Sequence, residues 1–196
     1  TVFTPFKNRW LEALNQTGVA PCRAPAPQAR IAVQPSAIPG AVPGFSSSVP
    51  PHLWPAGEHE ALARLRRFIE ARIGNYKSER DIPALDSTST LSPYLAVGAV
   101  SARRCLAAAL EANQGKATSG RPGAAAWITE LIWREFYVHV MRAFPRVCMH
   151  RAFKPATERI RWSDNQEHFQ AWCGGRTGVP IVDAAMRQLL ATGWMH

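Results

Sequence analysis

The segment from Ala124 to Phe144 limits what this chain can fold into more than any other part of the sequence. It contains neither proline nor glycine, and Pro145 follows it directly. Proline lacks the N–H that a continuing helix needs, so the helix is predicted to end there. Apolar residues occur on every side of this helix, which is typical of a helix buried in a large body rather than one on a surface. The sequence therefore predicts a central, buried helix.

Helical patterns also flank this segment. Apolar residues recur there at helical spacing, and no run with a period of two indicates a strand. The chain is therefore predicted to be all-α. The expected helix signals are a Thr4 cap with Pro5 at the first helical position, a helix from Glu58 ended by Gly74, a Ser101 cap, a Ser163–Gln166 capping box, and a helix from Pro180 to Gly193.

Residues 17–57 differ in composition from the rest of the chain, since nine of the 16 prolines lie there. Proline fixes φ and removes a hydrogen-bond donor. This stretch is therefore predicted to be an extended linker or a wrapping surface loop without a core of its own. We expect two parts: an N-terminal helix with the linker over residues 1–57, and a helical domain over residues 58–196.

The chain is strongly basic. It has 23 Lys and Arg against 14 Asp and Glu, which gives a net charge of +9 and a pI of about 10.1. Such an excess favours a polyanionic partner, with nucleic acid first, although a basic surface that only aids solubility is the simpler alternative.

The four cysteines are widely spaced, and they indicate neither a disulfide framework nor a metal site. Reduced thiols of a cytoplasmic protein fit them better. No apolar run approaches the roughly 20 residues that a bilayer requires. The cysteines are Cys22, Cys105, Cys148 and Cys173.

Charged side chains are embedded in the central helix. Trp127, Glu130, Arg134 and Tyr137 are spaced so that they share one face. An ordinary pair of Glu130 with Arg134 beside core aromatics would explain this pattern. The alternative is a pocket floor with aromatic walls, one carboxylate and one guanidinium, which suits a planar heterocycle.

Consecutive hydroxyl groups lie between Asp86 and Pro93, where the sequence is D-S-T-S-T-L-S-P. Hydroxyls and free backbone amides before a helix can bind phosphate, whereas a plain Ser/Thr cap is the simpler explanation. Farther along, Trp162 stands among the charged residues Arg159, Arg161 and Asp164, which predicts that it is only partly buried.

These motifs together resemble the photolyase family. Residues 127–137 are similar to the W-x-x-E-L-I-W-R-E-F-Y signature of class I cyclobutane-pyrimidine-dimer photolyases, and residues 88–92 to the T-S-x-L-S flavin-phosphate loop. Residues 177–187 and 193–196 resemble the next two blocks of that family, and residues 3–6 resemble the junction between its two domains. The resemblance implies an incomplete FAD-binding helical domain, with the antenna domain before it and the rest of the flavin site after it.

The resemblance implies light-driven DNA repair by a deoxyribodipyrimidine photo-lyase. In the family, photoexcited reduced FAD passes an electron to a pyrimidine dimer flipped out of the duplex, and the electron returns after the dimer splits. The implied partner is DNA that contains pyrimidine dimers, and the complete protein is expected to be a cytoplasmic monomer without membrane attachment. The sequence does not indicate an antenna chromophore.

The resemblance also assigns roles by position. Glu130 would hydrogen-bond the dimer and Trp133 would stack on it, as the two catalytic residues. Trp162 corresponds to the exposed end of the family's electron-transferring tryptophans, and Thr90 stands where relatives often have Arg, Lys or Gly. The FAD contacts would be Tyr76, Thr88, Ser89, Thr90, Leu91, Ser92, Trp127 and Arg134. The DNA contacts would be Arg80, Glu130, Leu131, Ile132, Trp133, Arg134, Glu135, Phe136 and Tyr137.

Two alternatives stay open at this point. A cryptochrome has the same fold and FAD but signals light instead of repairing DNA, and the pairing of Glu130 with Trp133 favours repair. A non-enzymatic helical DNA-binding module would need only the basic charge. Bound flavin would separate this module from both light-dependent alternatives.

Overall fold

In the computed structural model, residues 2–196 are described except 24, 28, 30, 31, 35, 38, 41 and 47. Within this part of the chain all regular structure is helical, which confirms the predicted fold class. The α-helices are α1 (Phe3–Thr17), α2 (Glu58–Ala71), α3 (Tyr76–Glu79), α4 (Ser92–Ala96), α5 (Ala102–Ala112), α6 (Pro122–Ala143), α7 (Gln166–Cys173) and α8 (Pro180–Thr192). Short 3-10 turns cover Pro51–Leu53, Pro145–Met149 and Pro155–Arg159.

The chain divides into two compact units. The first contains the chain up to Pro21 together with Ala56–Trp162, and the second contains Cys22–Pro55 and Ser163–His196. In the first unit α6 packs against α1, α3 and α5. Ile128 and Ile132 of α6 are fully buried, so the prediction of a central, buried helix is confirmed.

The start of α6 lies against the turn that follows α2. A Cβ atom on Gly123 would lie 2.0 Å from the carbonyl oxygen of Ile73 and 2.6 Å from that of Gly74. Only glycine therefore allows this approach. Helix α2 itself ends at Ala71, before the predicted end at Gly74, and Ile73 in the turn is 1% exposed.

A buried side chain holds the loop between α5 and α6. Asn113 is 1% exposed, and its amide donates to the carbonyl oxygens of Lys116 and of Ser119, the latter at 2.7 Å. Its Oδ1 accepts a hydrogen bond from the backbone N–H of Arg121 at 2.7 Å. Because an unpaired buried amide is costly, these bonds fix the conformation of residues 116–121.

The capping prediction for α5 is confirmed, but the one for α1 is wrong. The Ser101 hydroxyl accepts a hydrogen bond from the backbone N–H of Arg104 at 3.2 Å. Helix α1 begins at Phe3, so Thr4 lies inside the helix and caps nothing. Pro5 is the third helical residue, where a backbone N–H would have no partner within the helix.

The capping box predicted before α7 is also wrong. The N-cap is Asn165, whose side chain accepts a hydrogen bond from the backbone N–H of His168 at 2.9 Å. The hydroxyl of Ser163 instead accepts from the N–H of Asn165 at 3.3 Å. The chain therefore enters α7 two residues later than the S-x-x-Q pattern predicted.

The second unit contains the described part of the linker, whose regular structure is the single turn Pro51–Leu53. The indole N–H of Trp54 donates to the carbonyl oxygen of Thr192, which ties the end of the linker to α8. Helix α8 ends before Gly193 in the left-handed conformation (φ +69), as predicted. In the first turn of α8, the Asp183 carboxylate accepts from the N–H and the hydroxyl of Thr177, which precedes the helix, at 2.7 Å each.

The described residues contain no helix long and apolar enough to cross a bilayer. The four cysteines are free, and burial raises the pKa of the Cys105 thiol to about 11. Among the same residues, no group of three or more His, Cys, Asp or Glu side chains could hold a metal ion.

Replacing Gly123 with alanine should reverse the usual effect of this substitution. In an unconstrained helix interior the change stabilises by about 1 kcal/mol. Here the added methyl group would collide with the Ile73 carbonyl oxygen, so we expect a loss of about 1–3 kcal/mol in the free energy of unfolding. Urea denaturation followed by circular dichroism measures it.

Gly74→Ala is the matched control, because its methyl group would meet only a flexible Arg121 side-chain nitrogen, at 3.4 Å. We expect this control to change the unfolding free energy by less than about 1 kcal/mol. A Gly123→Ala variant as stable as the unmodified protein would contradict the close approach.

Candidate functional site

An ion pair joins α6 to the segment that follows α3. The Arg80 Nη1 donates to the Oε1 of Glu130, and both side chains are half-buried. The hydrogen bond to Glu130 is also the main reason why the pKa of Arg80 lies above its ordinary value. Glu130 therefore pairs across 50 residues of sequence, and its contact with Arg80 replaces the local pair with Arg134 that spacing alone allowed.

Aromatic rings lie beside this ion pair. The Arg80 Cζ is 5.8 Å from the centroid of the Tyr76 ring, within the range of a cation–π contact. The Tyr76 ring meets the edge of Phe68 at 5.7 Å, and Phe68 meets Trp127 at 4.8 Å. Trp127 is 4% exposed and Tyr76 is 9% exposed. Burial, and then the negative charge of Glu130, raise the pKa of the Tyr76 phenol, which keeps it neutral.

The hydroxyl-rich loop (residues 87–92) is held at one end by a hydrogen bond, and its backbone N–H groups are not used within the described part of the protein. Ser87 is 1% exposed, and its hydroxyl donates to the carbonyl oxygen of Glu79 at 3.1 Å. None of the backbone N–H groups of residues 88–92 donates a hydrogen bond to another described residue. Helix α4 then begins at Ser92, with Pro93 in its first turn, as predicted. The side chain of Leu91 is fully buried, so this residue offers a ligand only its backbone.

Thr90 adopts an unusual backbone conformation in this loop. Its φ is +50, a left-handed value that is rare for a β-branched residue. Its hydroxyl donates to the carbonyl oxygen of Ser89 at 2.8 Å and accepts a hydrogen bond from Arg64 Nη1 at 3.4 Å. The Thr90 side chain is therefore engaged within the protein.

Guanidinium groups reach the loop and the helix that follows it. Besides its bond to Thr90, Arg64 places Cζ 5.4 Å from the centroid of the Tyr94 ring. Arg134 Nη2 donates to the carbonyl oxygen of Leu95 in α4 at 3.4 Å. Arg64 could not be identified from the sequence, because it lies in an ordinary amphipathic helix and no spacing links it to residues 88–92.

The side chain of Trp133 is covered by α1. The ring of Phe3 lies parallel to the indole, with centroids 3.5 Å apart and an interplanar angle of 4°. Phe136 meets the indole edge-on at 5.6 Å, and Tyr137 lies offset from it at 5.7 Å. One turn farther along α1, the Lys7 ammonium donates to the Thr129 hydroxyl at 3.2 Å. The contact of Phe3 with Trp133 was not predicted from the sequence, because helical spacing carries no information about contacts between helices.

The residues of α6 expected at the DNA divide into buried and accessible ones. Leu131, Ile132 and Phe136 are 7%, 0% and 8% exposed. Their side chains lie in the core of the first unit. Tyr137 is 57% exposed. Glu135 is half-buried, and its Oε1 lies 3.4 Å from Nε2 of His139.

Known proteins are similar to this chain over the same region. Residues 127–196 match the family described as the FAD binding domain of DNA photolyase. A deoxyribodipyrimidine photo-lyase of Salmonella typhimurium is 46% identical over 197 residues, which cover 100% of this chain and 41% of that protein. One from Escherichia coli is 45% identical over 202 residues, with the same shares covered. The chain belongs to the photolyase/cryptochrome family.

Solved structures of this family share the fold. A bacterial class III photolyase from Agrobacterium tumefaciens has a TM-score of 0.68 and 36% identity, and the match covers 74% of this chain and 29% of that one. A cryptochrome from Synechocystis has a TM-score of 0.62 and 30% identity, and covers 74% and 33%. The chain spans about two fifths of the length of the photo-lyases from Salmonella and Escherichia coli, since the match covers 41% of each.

The raised pKa of Tyr76 can be measured by a spectrophotometric pH titration, which follows the ionisation of tyrosine phenols. The titration step that the unmodified protein shows and the Tyr76→Phe variant lacks should have its midpoint above pH 10.0, the ordinary pKa of tyrosine. Because the folded pKa is raised, the group contributes stability that is complete below the unfolded pKa and is lost as pH rises through the folded pKa.

Glu130→Gln should lower the midpoint of that step, since it removes a negative charge that opposes tyrosinate and releases the positive charge of Arg80. Glu111→Gln removes an exposed carboxylate of α5 and should leave the midpoint unchanged. A Glu130→Gln variant with an unchanged midpoint would show that Glu130 does not act on Tyr76.

Proposed function

We propose that the polypeptide containing this chain is a deoxyribodipyrimidine photo-lyase, which repairs cyclobutane pyrimidine dimers in DNA with an electron from bound, reduced, photoexcited FAD. The observation that carries this proposal is the pair of contacts made by two residues of α6. Arg134 donates to α4, which directly follows the hydroxyl-rich loop with its backbone N–H groups unused among the described residues, and Glu130 is ion-paired with Arg80. The identity of 45–46% to deoxyribodipyrimidine photo-lyases over the whole chain supports it.

The loop at residues 88–92 fits the phosphate groups of FAD. Its backbone N–H groups are free to donate, its hydroxyl residues are half-buried or exposed, and Arg64 and Arg134 supply positive charge nearby. Amides and guanidinium groups are the donors that phosphate oxygens accept best. Leu91 would contribute only its backbone amide. Tyr76 and Trp127 would support the site as buried members of the aromatic cluster around Phe68.

Glu130 and Arg80 would act together on the dimer. The guanidinium engages Oε1 of the carboxylate, which leaves Oε2 to accept a hydrogen bond from a base. Arg80 would therefore orient Glu130. The remaining N–H groups of the Arg80 guanidinium would contact the DNA backbone.

Further assignments complete the proposal. Trp162 would be the surface end of an electron-transfer chain, and its exposure of 84% supports this role. Residues 1–57 would form the N-terminal helix with the interdomain linker, and residues 58–196 the first part of the FAD-binding domain. The complete protein would be a monomer of the cytoplasm, where thiols such as the four free cysteines stay reduced.

A cryptochrome-type photoreceptor is the second candidate, because a solved cryptochrome shares this fold at 30% identity. A non-enzymatic DNA-binding module would use the basic charge alone. Purification separates the module from the other two, since a natural polypeptide that carries no flavin would rule out both light-dependent functions.

Repair itself is tested with ultraviolet-damaged DNA. The natural polypeptide that contains residues 1–196, loaded with reduced flavin, should remove dimers under near-ultraviolet or blue light and leave them intact in the dark. Quantifying the dimers in both samples measures this. Equal dimer content after light and dark incubation would end the repair proposal and favour the photoreceptor.

Trp133→Ala should weaken binding to damaged DNA without loss of flavin. Stacking on an aromatic side chain contributes about 1–3 kcal/mol per base, so we expect Kd to rise by roughly 5- to 150-fold. Fluorescence anisotropy gives Kd, and the visible absorbance of flavin gives the cofactor content. Trp162→Ala is the control, and its Kd should be unchanged. If Trp133→Ala loses flavin but keeps its affinity for the dimer, the assignment of this side chain is wrong.

A further inference from the structure

A small polar cavity lies at the start of α6, separate from the hydroxyl-rich loop and the Arg80–Glu130 ion pair. Its volume is about 350 Å³, and two lysines and three hydroxyl residues line it: Lys7, Lys77, Thr118, Ser119 and Thr129. The rest of the lining is glycine, proline and alanine, and none of it is acidic. Two larger and more apolar cavities in the same unit, each of about 480 Å³, both include glutamate in their walls.

The cavity wall is fixed by hydrogen bonds. Asn113 holds residues 116–121, which contribute Thr118 and Ser119. Lys7 is held over α6 by its bond to the Thr129 hydroxyl, and neither Lys7 nor Lys77 forms an ion pair with a described residue. Two ammonium groups that share a cavity without a carboxylate repel each other, and an anion between them would relieve this repulsion.

The position of the cavity connects it to the proposed DNA site. Thr129 and Trp133 are four residues apart on α6, so they lie on one face, about 6 Å apart along the axis. Likewise, Lys77 and Arg80 are three residues apart along the segment that pairs with Glu130. A strand with one base at Trp133 would therefore bring a neighbouring phosphate close to this cavity.

We propose that Lys7 and Lys77, with the hydroxyls of Thr118 and Ser119, bind one phosphodiester group of a DNA strand next to the base held at Trp133. The Thr129 hydroxyl donates to the carbonyl oxygen of Ala125 at 3.0 Å and accepts from Lys7, so it positions this lysine. The occupant is a backbone phosphate, because the cavity offers point charges and hydroxyl donors but no aromatic wall for a base. This inference rests on the proposed DNA-binding function and extends it to residues outside the photolyase signature.

The test measures how salt affects binding of an undamaged, fluorescein-labelled oligothymidylate by the natural polypeptide that contains this chain. Lys7→Gln/Lys77→Gln should raise Kd on the order of tenfold at low salt. It should also reduce the slope of log K against log salt by about 0.7, the value for one phosphate of a single strand. Lys7→Arg/Lys77→Arg should restore both values.

The control variant Lys116→Gln/Lys154→Gln has the same net charge, but both lysines are exposed and lie outside the cavity. It should leave the slope unchanged. Equal losses of slope in the two double variants would show a general charge effect and overturn the proposal. Unchanged circular dichroism and thermal midpoints confirm that the variants fold.

Inorganic phosphate is the second probe, titrated calorimetrically at constant ionic strength. We expect no binding that depends on Lys7 and Lys77 below about 1 mM. Phosphate binding that the double variant loses, while oligothymidylate binding is retained, would assign the cavity to free phosphate and overturn the inference. Because the oligothymidylate contains no dimer, its salt slope reports on the cavity even if the light-dependent repair assay fails.

Discussion

The close approach of α6 to the turn after α2 determines where most of the candidate site lies. At Gly123 the two backbones come together at a distance that a single methyl group would prevent. This contact places the first turn of α6 beside the segment that leads into α3. Glu130, two turns farther along, then lies opposite Arg80. The ion pair is therefore a consequence of backbone packing at a residue that has no chemistry of its own.

The helices could be predicted from the sequence, because proline, glycine and apolar spacing act locally. The predicted ends of α6 lie within two residues of the observed ones, and α8 ends at Gly193 as predicted. The predicted caps at Thr4 and Ser163 were wrong, because a cap depends on how the preceding chain approaches the helix. A hydroxyl at the right spacing does not determine that direction.

The contacts of the candidate site could be predicted only in part as well, because many of them join residues that lie far apart in the sequence. The face containing Glu130 and Arg134 follows from helical periodicity, but the partner of Glu130 does not, since 50 residues separate it from Arg80. Arg64, Lys7 and Phe3 could not be found because their contacts are tertiary. The signature at residues 127–137 also combines two kinds of residue. Its apolar members Leu131, Ile132 and Phe136 keep the helix in the core, while Glu130 and Arg134 reach Arg80 and α4.

The stack of Phe3 on Trp133 has a consequence for selectivity. A ring that takes the face now held by Phe3 must first displace it, and an aromatic pair of this kind is worth about 0.5–1.5 kcal/mol beyond the area it buries. Under the role proposed for Trp133, the affinity of a base on that face would be a difference between two stacking energies. Ligands that stack weakly would not displace the protein's own phenyl ring, and Phe3 would thereby select among ligands.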